Sequence, residues 1–123
     1  MMSQRRNISS GVEFESLVGY SRAVRIGPVV AVAGTTGAGD GIAAQTRDAL
    51  RRIEIALRDA GAELTDVIRT RIYVTDIAQW RAVGDVHAEV FGDIRPVATM
   101  VEVAALISPE LLVEIEADAY LDD

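Results

Sequence analysis

Residues 95–120, RPVATMVEVAALISPELLVEIEADAY, hold two segments in which apolar and polar residues alternate. From Leu112 to Tyr120 the alternation is unbroken: Val113, Ile115, Ala117 and Ala119 point one way, while Glu114, Glu116, Asp118 and Tyr120 point the other. This predicts a strand with carboxylates on one face. Carboxylates ~7 Å apart along a strand repel weakly in water and strongly when enclosed. Their face must therefore meet solvent, cations or a polar cavity. Val97 to Val103 predicts a second strand, with Ala98, Met100 and Glu102 on one face. The two strands together are the expected chemical surface of the chain.

Working back from this pair, Trp80, Val83, His87, Val90 and Phe91 form an apolar helical stripe that ends at Gly92, and Asp76 with Gln79 resembles its capping box. Val67 to Thr75 predicts a strand in which Ile68, Thr70, Ile72 and Val74 alternate with Arg69, Arg71 and Tyr73. Its arginines either lie exposed on an edge or face an acidic neighbour or an anionic ligand. Ile42, Thr46, Ala49, Ile53, Leu57 and Ala60 mark one face of a long helix stopped by Gly61, with Asp48/Arg51 and Glu54/Arg58 pairs on the solvent side. Before it, Gly27-Pro28 predicts a hairpin turn between Arg22–Ile26 and Val29–Gly34, and TTGAGDG, residues 35–41, a Gly-rich loop. That loop lacks the Gly-Lys-Ser/Thr ending of a P-loop and the spacing of a dinucleotide fingerprint, so it is read as a turn. Val12 to Phe14 suggests a short edge strand, and residues 1–11 a flexible lead-in to a single domain over 12–123. The order is thus β-β-α-β-α-β-β, a mixed sheet covered by two helices on one face. Its other face is expected to carry the carboxylates, the arginines and Met100.

Composition excludes several classes of function. The 123 residues are half hydrophobic and a quarter charged, as in a folded domain. With no cysteine there is no disulfide, thiolate nucleophile or thiolate-bound metal. One histidine, His87, cannot build a metal site and is read as a packed or interface residue. Neither a metal nor a cofactor is expected. Net charge is −7, with 19 acidic against 12 basic residues and no lysine at all, a poor match for a phosphate backbone, so nucleic acid is not an expected partner. No apolar run is long enough to span a bilayer, and none follows the arginines of MMSQRRNISSG as a secretory signal requires. A cytoplasmic, non-membrane protein is expected.

Gly19-Tyr20-Ser21, the strand ending Ala33-Gly34, AAQTRDALRRIEIALRDAGAELTDVIRTRIYVTD, AVGDVHAEVFG, PVATMVEVAAL and VEIEA together resemble the Rid family, the reactive intermediate deaminases, over roughly residues 18–119. The resemblance implies a chorismate-mutase-like α+β fold of the Bacillus type, a homotrimer around a central barrel, and small-molecule clefts between subunits. It also implies hydrolysis of reactive imines and enamines to 2-oxo acids and ammonia. In the RidA branch an arginine of the penultimate strand grips the substrate carboxylate and a glutamate of the last strand positions water. The glutamate falls on Glu114 and the early tyrosine on Tyr20. Where the family reads Pro-Ala-Arg-Ser, this chain reads Pro96-Val97-Ala98-Thr99, so Ala98 stands in place of the arginine. Ala33, Gly84 and Met100 similarly replace a serine, an asparagine and a cysteine.

The implied site is then Glu114 for water, with Tyr20, Ala33, Gly34, Thr35, Gly84, Ala98 and Met100 lining the pocket. Arg71 is the preferred substitute for the missing cation, with Arg22 and Arg95 as alternatives. Two functions remain open: an imine or enamine hydrolase of altered substrate preference, or a trimeric metabolite-binding protein that has lost the reaction.

Overall fold

The computed structural model describes residues 4–122. Six strands form one sheet in the order β1-β2-β3-β6-β4-β5, where β1 is Arg5–Ile8, β2 Ala23–Ile26, β3 Val29–Thr35, β4 Val67–Val74, β5 Val97–Glu102 and β6 Val113–Tyr120. The β4/β5 pair is parallel and the other pairs are antiparallel, so the sheet is mixed as expected. Helices α2 (Ile42–Asp59) and α3 (Trp80–Phe91) pack on one face, and a short α1 (Glu13–Val18) precedes β2.

The long helix buries the face its spacing predicts. Ile42, Thr46, Ala49, Ile53, Leu57 and Ala60 are all buried, and Gly61 follows at φ 83°, a left-handed conformation that a side chain disfavours. On the solvent side Asp48 pairs with Arg51 at 2.8 Å and Glu54 with Arg58 at 2.9 Å. Beneath α2, Val113, Ile115, Ala117 and Ala119 of β6 are buried, while the intervening acids stay on the uncovered face. The hairpin turns at Gly27-Pro28 as expected, with Ile26 paired to Val29.

Several expectations are corrected. Arg5–Ile8, within the anticipated lead-in, pairs antiparallel with β2; its charged, non-alternating sequence suits an edge strand but carries no strand signal. Residues 1–3 of that lead-in lie outside the described residues. Val12 to Phe14 is no strand: Glu13 and Glu15 favour the N-terminal turn of a helix, and Gly19 ends it at φ 88° with its N–H on the Glu15 carbonyl. Ile68 is 54% exposed instead of inward, because β4 bulges there. Val67 pairs with Ala119 and Arg69 with Asp118, leaving Ile68 as the extra residue. Trp80 leaves the apolar stripe and lies half-exposed at the start of α3, with the Arg81 guanidinium 5.6 Å from its ring. The cap anticipated at Asp76 belongs to a 3-10 turn, Ile77–Gln79, where Asp76 accepts from the Ala78 N–H at 3.0 Å. Finally, Thr70 pairs with Ala98 and Ile72 with Met100, so Ala98 and Met100 lie on the helix side of the sheet, not among the carboxylates.

Ile53, with no exposed surface, is the test of the packed layer. Ile53→Ala is expected to cost about 2–5 kcal/mol, read as a lowered denaturant midpoint with an unchanged slope.

Candidate functional site

The Gly-Tyr motif is built by α1. Glu15 accepts backbone N–H groups from Gly19 and Tyr20 at its own carbonyl, both at 2.9 Å, so the chain turns sharply and presents Tyr20 beside β3. Two residues on, Arg22 immediately precedes β2, and its carbonyl accepts from the Ala33 N–H at 2.9 Å. Its Nη1 donates to the Gly34 carbonyl at 2.9 Å and to Thr35 Oγ1 at 2.8 Å, and its Nη2 lies 3.5 Å from the Tyr20 hydroxyl. Thr35, itself buried, donates back to the Ala33 carbonyl at 2.8 Å. The β3/β6 register shifts between Val32 and Thr35, a local irregularity that frees this stretch from regular pairing.

Glu114 meets the same stretch from β6. Its carboxylate lies against Gly34, where any Cβ would collide with Oε2. Partial burial, and then repulsion from Glu116, hold the Glu114 carboxyl above its ordinary pKa of 4.5, opposed by the Arg22 charge. Tyr20, Ala33, Gly34, Thr35 and Glu114 therefore form one cluster, and Arg22, a secondary candidate from sequence, is its cation.

The remaining predicted residues are elsewhere. Arg71 donates to Glu116 at 3.4 Å and Asp118 at 3.1 Å, and Tyr73 donates its hydroxyl to Glu116 at 2.9 Å. That hydrogen bond, with burial, pushes the Tyr73 phenol above its ordinary value. Arg71 is thus occupied by acids on the uncovered face, opposite to Ala98, which removes the geometric ground for preferring it. Arg95 turns its Nε to the Gly92 carbonyl at 3.1 Å. Gly84 on α3 and Ala98 and Met100 on β5 belong to the helix side, where buried Thr70 hydrogen-bonds His87 Nε2 at 2.9 Å. Burial lowers the His87 pKa below its ordinary value and so favours the neutral ring, in line with its reading as a packed residue.

The Gly-rich loop borders an open concavity of about 390 Å³ lined by Thr36, Gly37, Gln45, Arg52 and Glu110 among others. Its geometry supports the turn reading. Asp48 accepts the Ala38 N–H at 2.8 Å, so the loop's amide already holds an internal anion. That bond, with help from Arg51 and Arg52, keeps the Asp48 carboxyl below its ordinary pKa. No group of residues suited to hold a metal ion occurs among the described residues, and no helix is long and apolar enough to cross a membrane.

A family model described as endoribonuclease L-PSP matches residues 10–121. The chain belongs to that family. A crystal structure of Rv2704 from Mycobacterium tuberculosis, a member of the YjgF/YER057c/UK114 family, is 76% identical with a TM-score of 0.95 and covers 96% of this chain and 100% of its own. The uncharacterized protein SCO2049 of Streptomyces coelicolor is 37% identical over 123 residues, 94% of this chain and 91% of that one. The 3-aminoacrylate deaminase RutC of Acinetobacter baylyi is 39% identical over 79 residues, 64% of this chain and 62% of RutC. Family membership bears out the Rid resemblance read from the motifs, and the α+β fold agrees with it.

Two outcomes follow for the Glu114 cluster. An acid whose pKa is raised on folding is least costly when protonated, and its penalty appears as pH rises through the folded pKa. Glu114→Gln is therefore expected to raise the melting temperature at pH 7 and to lose that advantage as pH falls below 4.5. Gly34→Ala is expected to swing the flexible Glu114 side chain out of place with little loss of stability, measured by thermal unfolding alongside any Glu114-dependent activity.

Proposed function

We propose that this chain is a Rid-type hydrolase of small imines or enamines, a cytoplasmic homotrimer with its pockets at subunit interfaces. The observation that carries the reading is Glu114, a partly buried acid held above its ordinary pKa against a side-chain-free Gly34. Such a group exchanges protons near neutrality more readily than a solvated carboxylate. The deaminase activity in the name of the RutC relative supports the same chemistry.

In this mechanism Glu114 takes a proton from water as the water oxygen attacks the imine carbon. The C=N π pair moves to nitrogen, which accepts a proton, giving a carbinolamine. Transfer of the carbinolamine's hydroxyl proton to nitrogen, by way of Glu114, then lets the C–N bond break with its electron pair, releasing ammonia as the C–O bond becomes a carbonyl. An enamine enters the same path after protonation at its β-carbon. Water is the one co-substrate, and no cofactor is required.

The intersubunit arrangement is supported by two features. Gly84, Ala98 and Met100 lie across the sheet from the Glu114 cluster, so a pocket using both sets needs two chains. The uncovered face also exposes Val29, Val97, Val101 and Tyr120, apolar surface that association would bury. A charge of −7 without lysine weighs against RNA cleavage, whatever the family's descriptive name. Ala98 favours a second reading, a trimeric metabolite binder that has lost the reaction, because the cation of the RidA pattern is absent there.

The separating experiment is ammonia release from carboxylate-bearing and neutral imines generated in situ. The hydrolase reading expects turnover that falls ~10²–10⁴-fold in Glu114→Gln. Ligand-induced thermal stabilisation with no Glu114-dependent ammonia from any substrate selects the binder.

A further inference from the structure

We propose that Arg22 is the residue that selects the ligand of this site, gripping a carboxylate held next to Glu114. The inference rests on the reading of Glu114 as the acid of the pocket, and it moves the anion grip from position 98 on β5 to the residue just before β2.

Arg22 is prepared for an anion in a way no other arginine near the site is. Its backbone is fixed on both sides, with its N–H on the Ile8 carbonyl at 2.8 Å and its carbonyl on the Ala33 N–H at 2.9 Å. One end of the guanidinium, Nη1, is clamped by the Gly34 carbonyl at 2.9 Å and Thr35 Oγ1 at 2.8 Å. The Tyr20 ring lies against it, with Cζ 5.7 Å from the ring centroid. All of these partners are neutral. Among the described residues Arg22 forms no ion pair, whereas Arg47, Arg51, Arg52, Arg58, Arg71 and Arg81 each have an acid partner. Arg25, the half-buried arginine of β2 itself, is taken up by the Gly27 and Ala60 carbonyls at 3.0 and 2.8 Å.

Five N–H groups in a rigid fork suit a planar carboxylate; here Nη1 is anchored, Nη2 has one long contact to the Tyr20 hydroxyl at 3.5 Å, and Nε has no hydrogen-bond partner among the described residues. Two acids, Glu15 and Glu114, feel the Arg22 charge without forming an ion pair with it, and Glu114 touches the same residue, Gly34, on its Cα side while Arg22 holds its carbonyl. A fixed cation and an acid therefore flank one short stretch of backbone. A 2-imino acid has the matching layout, since its carboxylate carbon is bonded directly to its electrophilic carbon. Arg22 on the carboxylate thus brings the imine carbon toward the water held by Glu114. Arg22 acts as a binding residue and takes no part in proton transfer.

The test compares pyruvate with pyruvamide, which has the same shape without the charge, by isothermal titration of the native protein, and repeats it for Arg22→Gln, Arg22→Lys and Glu114→Gln. The expected result is a preference of roughly 30-fold or more for pyruvate, erased in Arg22→Gln and partly kept in Arg22→Lys. Equal affinities in the native protein, or no pyruvate binding at all, overturn the proposal without any variant having to fold. A preference that survives in folded Arg22→Gln overturns it as well. Hydrolysis is read separately: Arg22-dependent pyruvate binding without Glu114-dependent ammonia release retains the grip and retires the hydrolase. Glu114-dependent release without a pyruvate preference retires the grip alone.

Discussion

Pairing of β6 on both sides is the constraint from which the site follows. Antiparallel bonding to β3 and β4 leaves this strand no freedom of register, because a one-residue slip would send Glu114, Glu116 and Asp118 beneath α2 and expel Val113, Ile115 and Ala117. The cost of burying three carboxylates in an apolar layer forbids that exchange. The acids are thus held in file on the uncovered face at strand spacing. What distinguishes them is what the neighbouring strands offer.

From β4 come Arg71 and Tyr73, which satisfy Glu116 and Asp118. At Glu114 the neighbour on the other side is Gly34, which offers no side chain at all, and the Arg22 charge stands off instead of bonding. The same ladder of acids therefore contains two structural members and one member left partly desolvated. Chemical individuality here arises from the partners, since the residues themselves are of one type.

How much of this was legible depended on the range of the interaction. The faces of α2 and β6 are written as periodicity within one segment, and both were read correctly from it. The edge strand Arg5–Ile8 and the inward turn of Ala98 and Met100 were not, since each is decided by which strand lies alongside. Ile68 was misplaced because a bulge changes the phase of a strand without changing its composition. The cluster of Tyr20, Gly34, Thr35 and Glu114 is legible through motif resemblance, whereas the pairing of Arg71 with Glu116 and Asp118 depends on which acids the neighbouring strand brings alongside. Such a pairing is a fact about neighbours, and no local pattern encodes it.

The Thr70–His87 hydrogen bond joins α3 to β4, and Thr70 is the register partner of Ala98 on the next strand; His87 is the one imidazole in the chain. Its ring therefore gives a single, unoverlapped magnetic resonance signal, with no mutagenesis needed for assignment. That signal sits where helix, central sheet and edge strand meet. Any event that loosens α3 from the sheet, or seats another molecule against β5, would be reported at natural sequence by one peak.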